Sequence, residues 1–134
     1  MLATAPATDV KFSKANYRRD GYDYWQQTKD GRIALGGFRD INKDNEWTHN
    51  CVPAQPIQGR LEQFLREHIK TKAPITHRWA GLVAYTDDGE PIFEEIRQGV
   101  IAIGAYNGTG NIMGAMFGKK AARKVIDSMT RPKL

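Results

Sequence analysis

Five glycines, Gly104, Gly108, Gly110, Gly114 and Gly118, fall within fifteen residues of the run GVIAIGAYNGTGNIMGAMFGKK, after an apolar stretch and at the head of a helical pattern. Glycines at a helix start let backbone N–H groups approach an anion, and the helix dipole adds positive potential there. Gly108 and Gly110 hold those places, so the local chemistry suits a phosphate or another electron-rich ligand atom. The nucleotide motifs themselves are incomplete. GAMFGKK has three residues between its glycines where a P-loop has four, and no Ser or Thr follows its first lysine. A dinucleotide fold needs a further strand with an acidic residue about 20 positions on, and the sequence stops at Leu134. The loop is therefore expected to touch a nucleotide cofactor without holding one alone.

Inside the helix, Gly114 and Gly118 each forgo about 1 kcal/mol relative to alanine. Gly110, Gly114, Gly118 and Ala122 recur at every fourth residue, which lines them along one face and permits close approach of another backbone. Packing within the domain and packing on a partner or a second copy both account for such a stripe.

A second group of residues is aromatic. In GYDYWQQT, Tyr22, Tyr24 and Gln26 share one face of a strand, and Asp23, Trp25 and Gln27 share the other. One of these faces lines a cavity or packs under a loop. His49 and Cys51 stand two residues apart without a further Cys/His cluster, so no metal site is expected. The lone cysteine excludes an internal disulfide framework and fits a reducing compartment. The first residues, MLATAPATDVKFSK, lack the pattern of a secretory signal, and no run of about 18 apolar residues exists, so a cytoplasmic protein without a membrane partner is expected.

The elements that position these groups follow from periodicity. GYDYWQQT and RIALGGFR flank KDG, and Asp30-Gly31 predicts a hairpin with a tight primed turn. Residues 40–55, DINKDNEWTHNCVPAQ, show no usable period and are expected to form a lid or a mobile connection. Pro56 fits the first turn of a helix whose buried face is Ile57, Leu61, Phe64, Leu65 and Ile69. APITHRWAGLVAYT predicts a mostly buried strand ended by a turn at Asp88-Gly89. PIFEEI and GVIAIGAY predict two more strands, and a last helix runs from about Gly108 to Met129. Strands, helix, strands, helix with hairpin connections predict an α+β fold: one domain over residues 1–134, a largely antiparallel mixed sheet flanked by two main helices.

The length of 134 residues suits one core, and 40% hydrophobic with 26% charged residues is ordinary globular composition. The formal charge is +5, with Lys119, Lys120, Arg123, Lys124, Arg131 and Lys133 gathered late. These fit a solvated helix end, where cations offset the dipole. A nucleic-acid interface is not expected, because zinc-finger spacing, a helix-turn-helix pattern and aromatic-basic interleaving are all absent.

Taken together, YDYWQQTKDGRIALGGFRD, HRWAGLVAYTDDGEPI and GVIAIGAYNGTGN with its glycine-spaced helix resemble the C-terminal part of the FAD-dependent oxidoreductases of the D-amino-acid oxidase superfamily, which includes glycine and sarcosine oxidases. The resemblance covers nearly the whole chain. It implies a substrate-binding half, with residues 99–130 as the last strand and helix of the flavin domain, and Met1 placed well inside a longer enzyme. It further implies that Tyr106, Asn107, Gly108, Thr109, Gly110 and Asn111 form the loop along the flavin, with backbone N–H groups directed at the pyrimidine edge. Tyr24, Trp25 and Trp79 are expected to shape the substrate pocket. Val83 stands where amino-acid-oxidising relatives often carry an arginine for the substrate carboxylate, which leaves Arg39 or Arg78 for that task. The implied function is oxidation of an amine or amino acid by hydride transfer to FAD, with the chain inactive unless its nucleotide-binding half is supplied. A non-catalytic docking or dimerisation module, using the Gly110/Gly114/Gly118 face, is the alternative.

Overall fold

A computed structural model describes residues 1–130; Arg131 and Lys133 of the basic cluster lie outside them. The chain divides into two compact units, Met1–Leu82 and a second beginning at Val83. All strand pairings in both are antiparallel.

The first unit is a five-stranded sheet with a helix on one face. Its strands are β1 (Leu2–Pro6), β2 (Asn16–Arg18), β3 (Asp23–Gln27), β4 (Arg32–Gly37) and β5 (Ile75–Arg78), in the order β2-β3-β4-β1-β5. The pleat sends Leu2, Trp25, Ile33 and Leu35 to one side, where all are buried. Between β4 and β5 lie a single-turn helix α1 (Lys43–Glu46) and the longer α2 (Gln55–Phe64), which continues as a π-helical turn over Leu65–Ile69. Pro56 sits in the first turn of α2, where a missing N–H costs nothing. The expected face is the one the helix buries: Ile57, Leu61, Phe64, Leu65 and Ile69 all join the core. Fully covered side chains such as Leu61 and Leu35 each contribute about 1.5–3 kcal/mol of burial. Trp25 fills the centre, in edge contact with Phe12, Phe64 and His68.

Three local expectations change. The KDG turn is not a primed two-residue turn: Asp30 keeps an ordinary φ, and Gly31 alone is left-handed at φ 85°. Gly31 N–H donates to Thr28 O and Thr28 N–H to Arg32 O, both at 2.9 Å, as in a three-residue loop closed by a left-handed glycine. The strand expected through APITHRWAGLVAYT is short and exposed. β5 stands at the sheet edge and pairs with β1 alone, and the last bond of that ladder runs from Trp79 N–H to Met1 O at 3.1 Å. Residues 40–55 are not wholly irregular, since a 3-10 turn (Arg39–Asn42) and α1 open the segment.

The second unit is a hairpin covered by one helix: β6 (Ile92–Arg97), β7 (Val100–Gly104) and α3 (Gly110–Thr130). Phe93 on β6 meets Phe117 on α3 edge to face at 5.6 Å, the Lys120 ammonium lies 4.5 Å from the Phe93 ring, and Lys124 pairs with Glu95 at 3.0 Å. Ile92 and Ile96 alternate with these residues and remain exposed. Among the described residues, no helix is long and apolar enough to cross a membrane.

Candidate functional site

In the first unit two of the candidate residues, Tyr24 and Trp79, lie on the sheet face opposite α2, while Trp25 and Arg78 lie on the α2 side. Asp23 and Trp25 point into the core, so Tyr24 points away from it. Its ring lies over β4 at Gly36, where an added Cβ would stand 2.6 Å from Cε2, so only glycine fits beneath it. Tyr17 stacks on the other side, with ring centroids 5.9 Å apart. The register Leu2↔Leu35 and Leu2↔Arg78 brings Met1 level with Gly36 and Trp79. Tyr24, Gly36, Met1 and Trp79 thus run in one row across four strands, with the backbones of Tyr24 and Trp79 about 14 Å apart at the usual strand spacing. The neighbouring row holds Gln26, Ala34, Ala3 and His77. Tyr24 and Trp79 thus stand at the two ends of a row whose interior is Met1 and a Gly36 covered by the Tyr24 ring, with Ala34 and Ala3 in the next row.

Arg39 follows at the Tyr24 end. Phe38, left-handed at φ 63°, turns its ring into the core and releases Arg39 outward, with its guanidinium 5.2 Å from the Tyr22 ring centre. Arg78 lies on the opposite side of the sheet, where its guanidinium donates to Gln58 at 2.9 Å and Glu62 at 2.6 Å on α2. Arg78 is engaged there, on the far side of the sheet from Tyr24, whereas Arg39 and Arg19 both lie against the Tyr22 ring. Trp25 belongs to the core, only 9% exposed, away from Tyr24 and Trp79. The residue that sequence reasoning overlooked is Gly36; the Gly-Gly pair closing an alternating strand was its signal.

In the second unit, residues 105–109 join β7 to α3, and Gly110 and Asn111 open the helix. Ala105, Asn107 and Gly108 are left-handed at φ 49°, 50° and 90°, which delays the helix start to Gly110. Thr109 precedes the helix: its carbonyl accepts the Ile112 and Met113 N–H groups, while its own N–H and Oγ1 donate to Tyr106 O at 2.8 and 2.6 Å. The exposed N–H groups of Gly110 and Asn111 have no hydrogen-bond partner among the described residues. They are the free first-turn donors of a 21-residue helix. The side chains beside them turn inward. Tyr106 packs on Phe117 at 5.9 Å, and Asn107 bonds to the turn at 86–89. The loop therefore presents backbone donors outward and keeps its two largest polar side chains within the unit.

Along half its length the glycine stripe lies against the Tyr106 ring. A Cβ on Gly110 or Gly114 would meet Tyr106 at 3.5 or 3.4 Å, whereas Gly118 has nothing within 4 Å. Gly114→Leu is expected to push the Tyr106 ring off Phe117 and destabilise this unit by about 1–3 kcal/mol. Thermal melting followed by near-ultraviolet circular dichroism reads both effects; an unchanged melt and tyrosine signal would mean that the ring does not rest there.

Among the described residues no three His, Cys, Asp or Glu side chains gather as metal ligands, and Cys51 is exposed and free. Asp9 and Asp30 have carboxyls held below the usual carboxylate range, the first chiefly by the Thr71 hydroxyl and the second by the Thr28 hydroxyl, which marks them as turn braces.

Comparison with known proteins adds two findings. Residues 1–124 match the family described as FAD dependent oxidoreductase, DAO. A curated relative, the probable oxidoreductase OrdL of Rhizobium meliloti (strain 1021), is 29% identical over 109 residues, covering 80% of this chain and 24% of that protein. The chain thus spans about a quarter of the length of the curated relative it matches.

Proposed function

Because this chain belongs to the FAD-dependent oxidoreductase family, we propose that it is the C-terminal part of an enzyme that oxidises an amine or amino acid, and that it needs a nucleotide-binding half to work. The observation that carries this reading is the pair of open N–H donors, Gly110 and Asn111, at the exposed start of α3. The donor set fits the electron-rich edge of a flavin. Bound FAD supplies the acceptor for a hydride taken from the C–H beside the amine nitrogen, leaving an imine that water hydrolyses.

The chain's own residues do the rest. The N–H groups of Gly110 and Asn111, with the positive end of the helix behind them, stabilise negative charge that develops at their acceptor. In the first unit Tyr24 and Trp79 bound the substrate space, over a floor formed by Met1, Ala34 and Ala3. Arg39 binds a carboxylate where the substrate has one. Trp25 acts behind this face, as packing. On the outer side of α3, Ile112, Met116, Ile126 and Met129 are 70, 59, 58 and 79% exposed, and an apolar surface of this kind suits a covering partner. We assign that cover to the nucleotide-binding half; a second copy of the chain is the alternative occupant, and would make this a docking module. Cys51, exposed and free, fits work in the reducing cytoplasm.

The test is flavin content. Purified alone, the chain is expected to carry no visible flavin band; expressed in frame with the coding sequence upstream of Met1, it is expected to carry FAD that bleaches anaerobically with an amine. Near-stoichiometric flavin and amine turnover in the isolated chain would refute the need for another half. An upstream-extended protein free of flavin would refute the redox reading.

A further inference from the structure

We propose that Asn107 is the positioning residue of the donor loop, its side-chain amide clamping the turn at 86–89 so that the Gly110 and Asn111 N–H groups keep one direction. This rests on the flavin-edge reading above.

Asn107 sits at φ 50° between Ala105 at 49° and Gly108 at 90°. Asparagine tolerates this region better than most non-glycine residues, so the backbone alone accounts for Asn or Gly here. The amide does more. Its Oδ1 accepts the Thr86 N–H at 3.0 Å, and its Nδ2 donates to Gly89 O at 2.8 Å and to Thr86 Oγ1 at 3.3 Å. Both ends of the group are engaged within the unit, across a sequence gap of 18 to 21 residues.

The anchor it grips is itself braced. Gly89 N–H donates to Thr86 O, Thr86 Oγ1 to Glu90 O at 2.9 Å, and Glu90 N–H to Asp88 Oδ1 at 3.0 Å. That last bond is the main reason the Asp88 carboxyl lies below the usual carboxylate range. On the other side, Thr109 closes on Tyr106 O. Two attachments thus bracket the left-handed pair 107–108, one local and one distant, and the first helical turn begins directly after them. With the distant attachment removed, the pair is free to rotate, and the N–H vectors of Gly110 and Asn111 rotate with it.

Three variants separate the claims. Asn107→Gly keeps the left-handed backbone and deletes the clamp. Asn107→Asp keeps an acceptor for Thr86 N–H but loses the donor. Gly110→Pro removes one outward N–H at a helix position that accommodates proline. Two readouts apply: backbone amide exchange over residues 86–90 and 108–113 of the chain, and the midpoint potential of the flavin in the flavin-loaded protein. Asn107→Gly is expected to speed exchange in both segments by about tenfold and to move the potential to more negative values, with Asn107→Asp between it and the parent. Gly110→Pro is expected to move the potential the same way with exchange at 86–90 unchanged. Unchanged exchange at Thr86 in Asn107→Gly overturns the clamp. A potential that responds to Gly110→Pro but not to Asn107→Gly overturns the positioning role and leaves the flavin edge standing. A potential indifferent to Gly110→Pro overturns the flavin-edge reading and the role with it.

Discussion

Gly37→Ala is expected to leave the first unit without a stable fold, a loss of more than about 4 kcal/mol against a typical total of 5–15. Gly37 ends β4 at φ 123°, a left-handed conformation that alanine resists, and its missing side chain faces backbone. An added Cβ would stand 2.1 Å from Tyr22 O and 2.8 Å from Asp23 Cα. Neither atom yields by rotating a side chain. Relief requires β3 and β4 to separate at the end where Phe38 N–H donates to Tyr22 O at 2.7 Å, which also displaces Tyr24 and Arg39 from their row. Gly59 supplies the control: it lies in α2 with nothing within 4 Å of its would-be Cβ, so Gly59→Ala is expected to gain about 0.5–1 kcal/mol. Urea denaturation followed by the tryptophan fluorescence of the first unit measures both. A Gly37→Ala protein with a midpoint near that of the parent would disprove the close approach.

Arg19→Ala is expected to cost about 2–3 kcal/mol, the penalty of a buried carboxylate without its partner, reduced because the guanidinium is partly exposed. Arg19 Nε and Nη2 grip Asp23 at 2.8 and 2.5 Å, and Nη1 reaches Asp40 at 2.6 Å. Asp23 is 1% exposed, so water does not replace the lost bonds. The bridge joins the turn before β3 to the turn after β4, the two segments that carry Tyr22 and Arg39. Hydrogen bonds from Arg19 hold the Asp40 carboxyl below its ordinary pKa of 3.8. A carboxyl depressed in the folded state adds stability that is fully present above its unfolded pKa and disappears as pH falls through the lower folded value. The parent's advantage over Arg19→Ala should therefore be full at neutral pH and shrink below about pH 4. Pairing Arg19→Ala with Asp23→Asn should recover part of the loss, since no charge is then stranded. An advantage that stays constant from neutral pH to pH 2 would show that the ion pairs do not carry it.

Much of this architecture was legible locally. The i, i+4 spacing of Ile57, Leu61, Leu65 and Ile69 specified α2 and its buried face, because a helix brings those positions together whatever it packs against. The Asp-Gly pair at 30–31 marked the β3–β4 hairpin, although the loop length, and hence the turn type, depended on how the strands closed. The glycine run and the apolar strand before it located the start of α3 to within two residues. The donor loop was readable for the same reason: free N–H groups at a helix start are a property of any helix.

What the chain order alone did not contain was pairing between distant segments. β5 finds its only strand partner in β1, some seventy residues earlier, a pairing that local spacing does not announce. Tyr24 and Trp79 share a row because four strands align in one register, and Trp25 leaves that row because the pleat alternates and α2 covers its side. Arg78 and Arg39 are equivalent cations in the sequence, yet one is bound to α2 and the other lies against the Tyr22 ring. Asn107 reads locally as a turn residue, and only the fold brings the 86–89 turn within reach of its amide. The sequence by itself determined the elements and the donors at the head of α3, since periodicity, turn chemistry and helix ends act over a few residues. Tertiary structure decided which side chains stand on the open sheet face and which pack into the core or bind α2, because that depends on partners that local spacing does not encode.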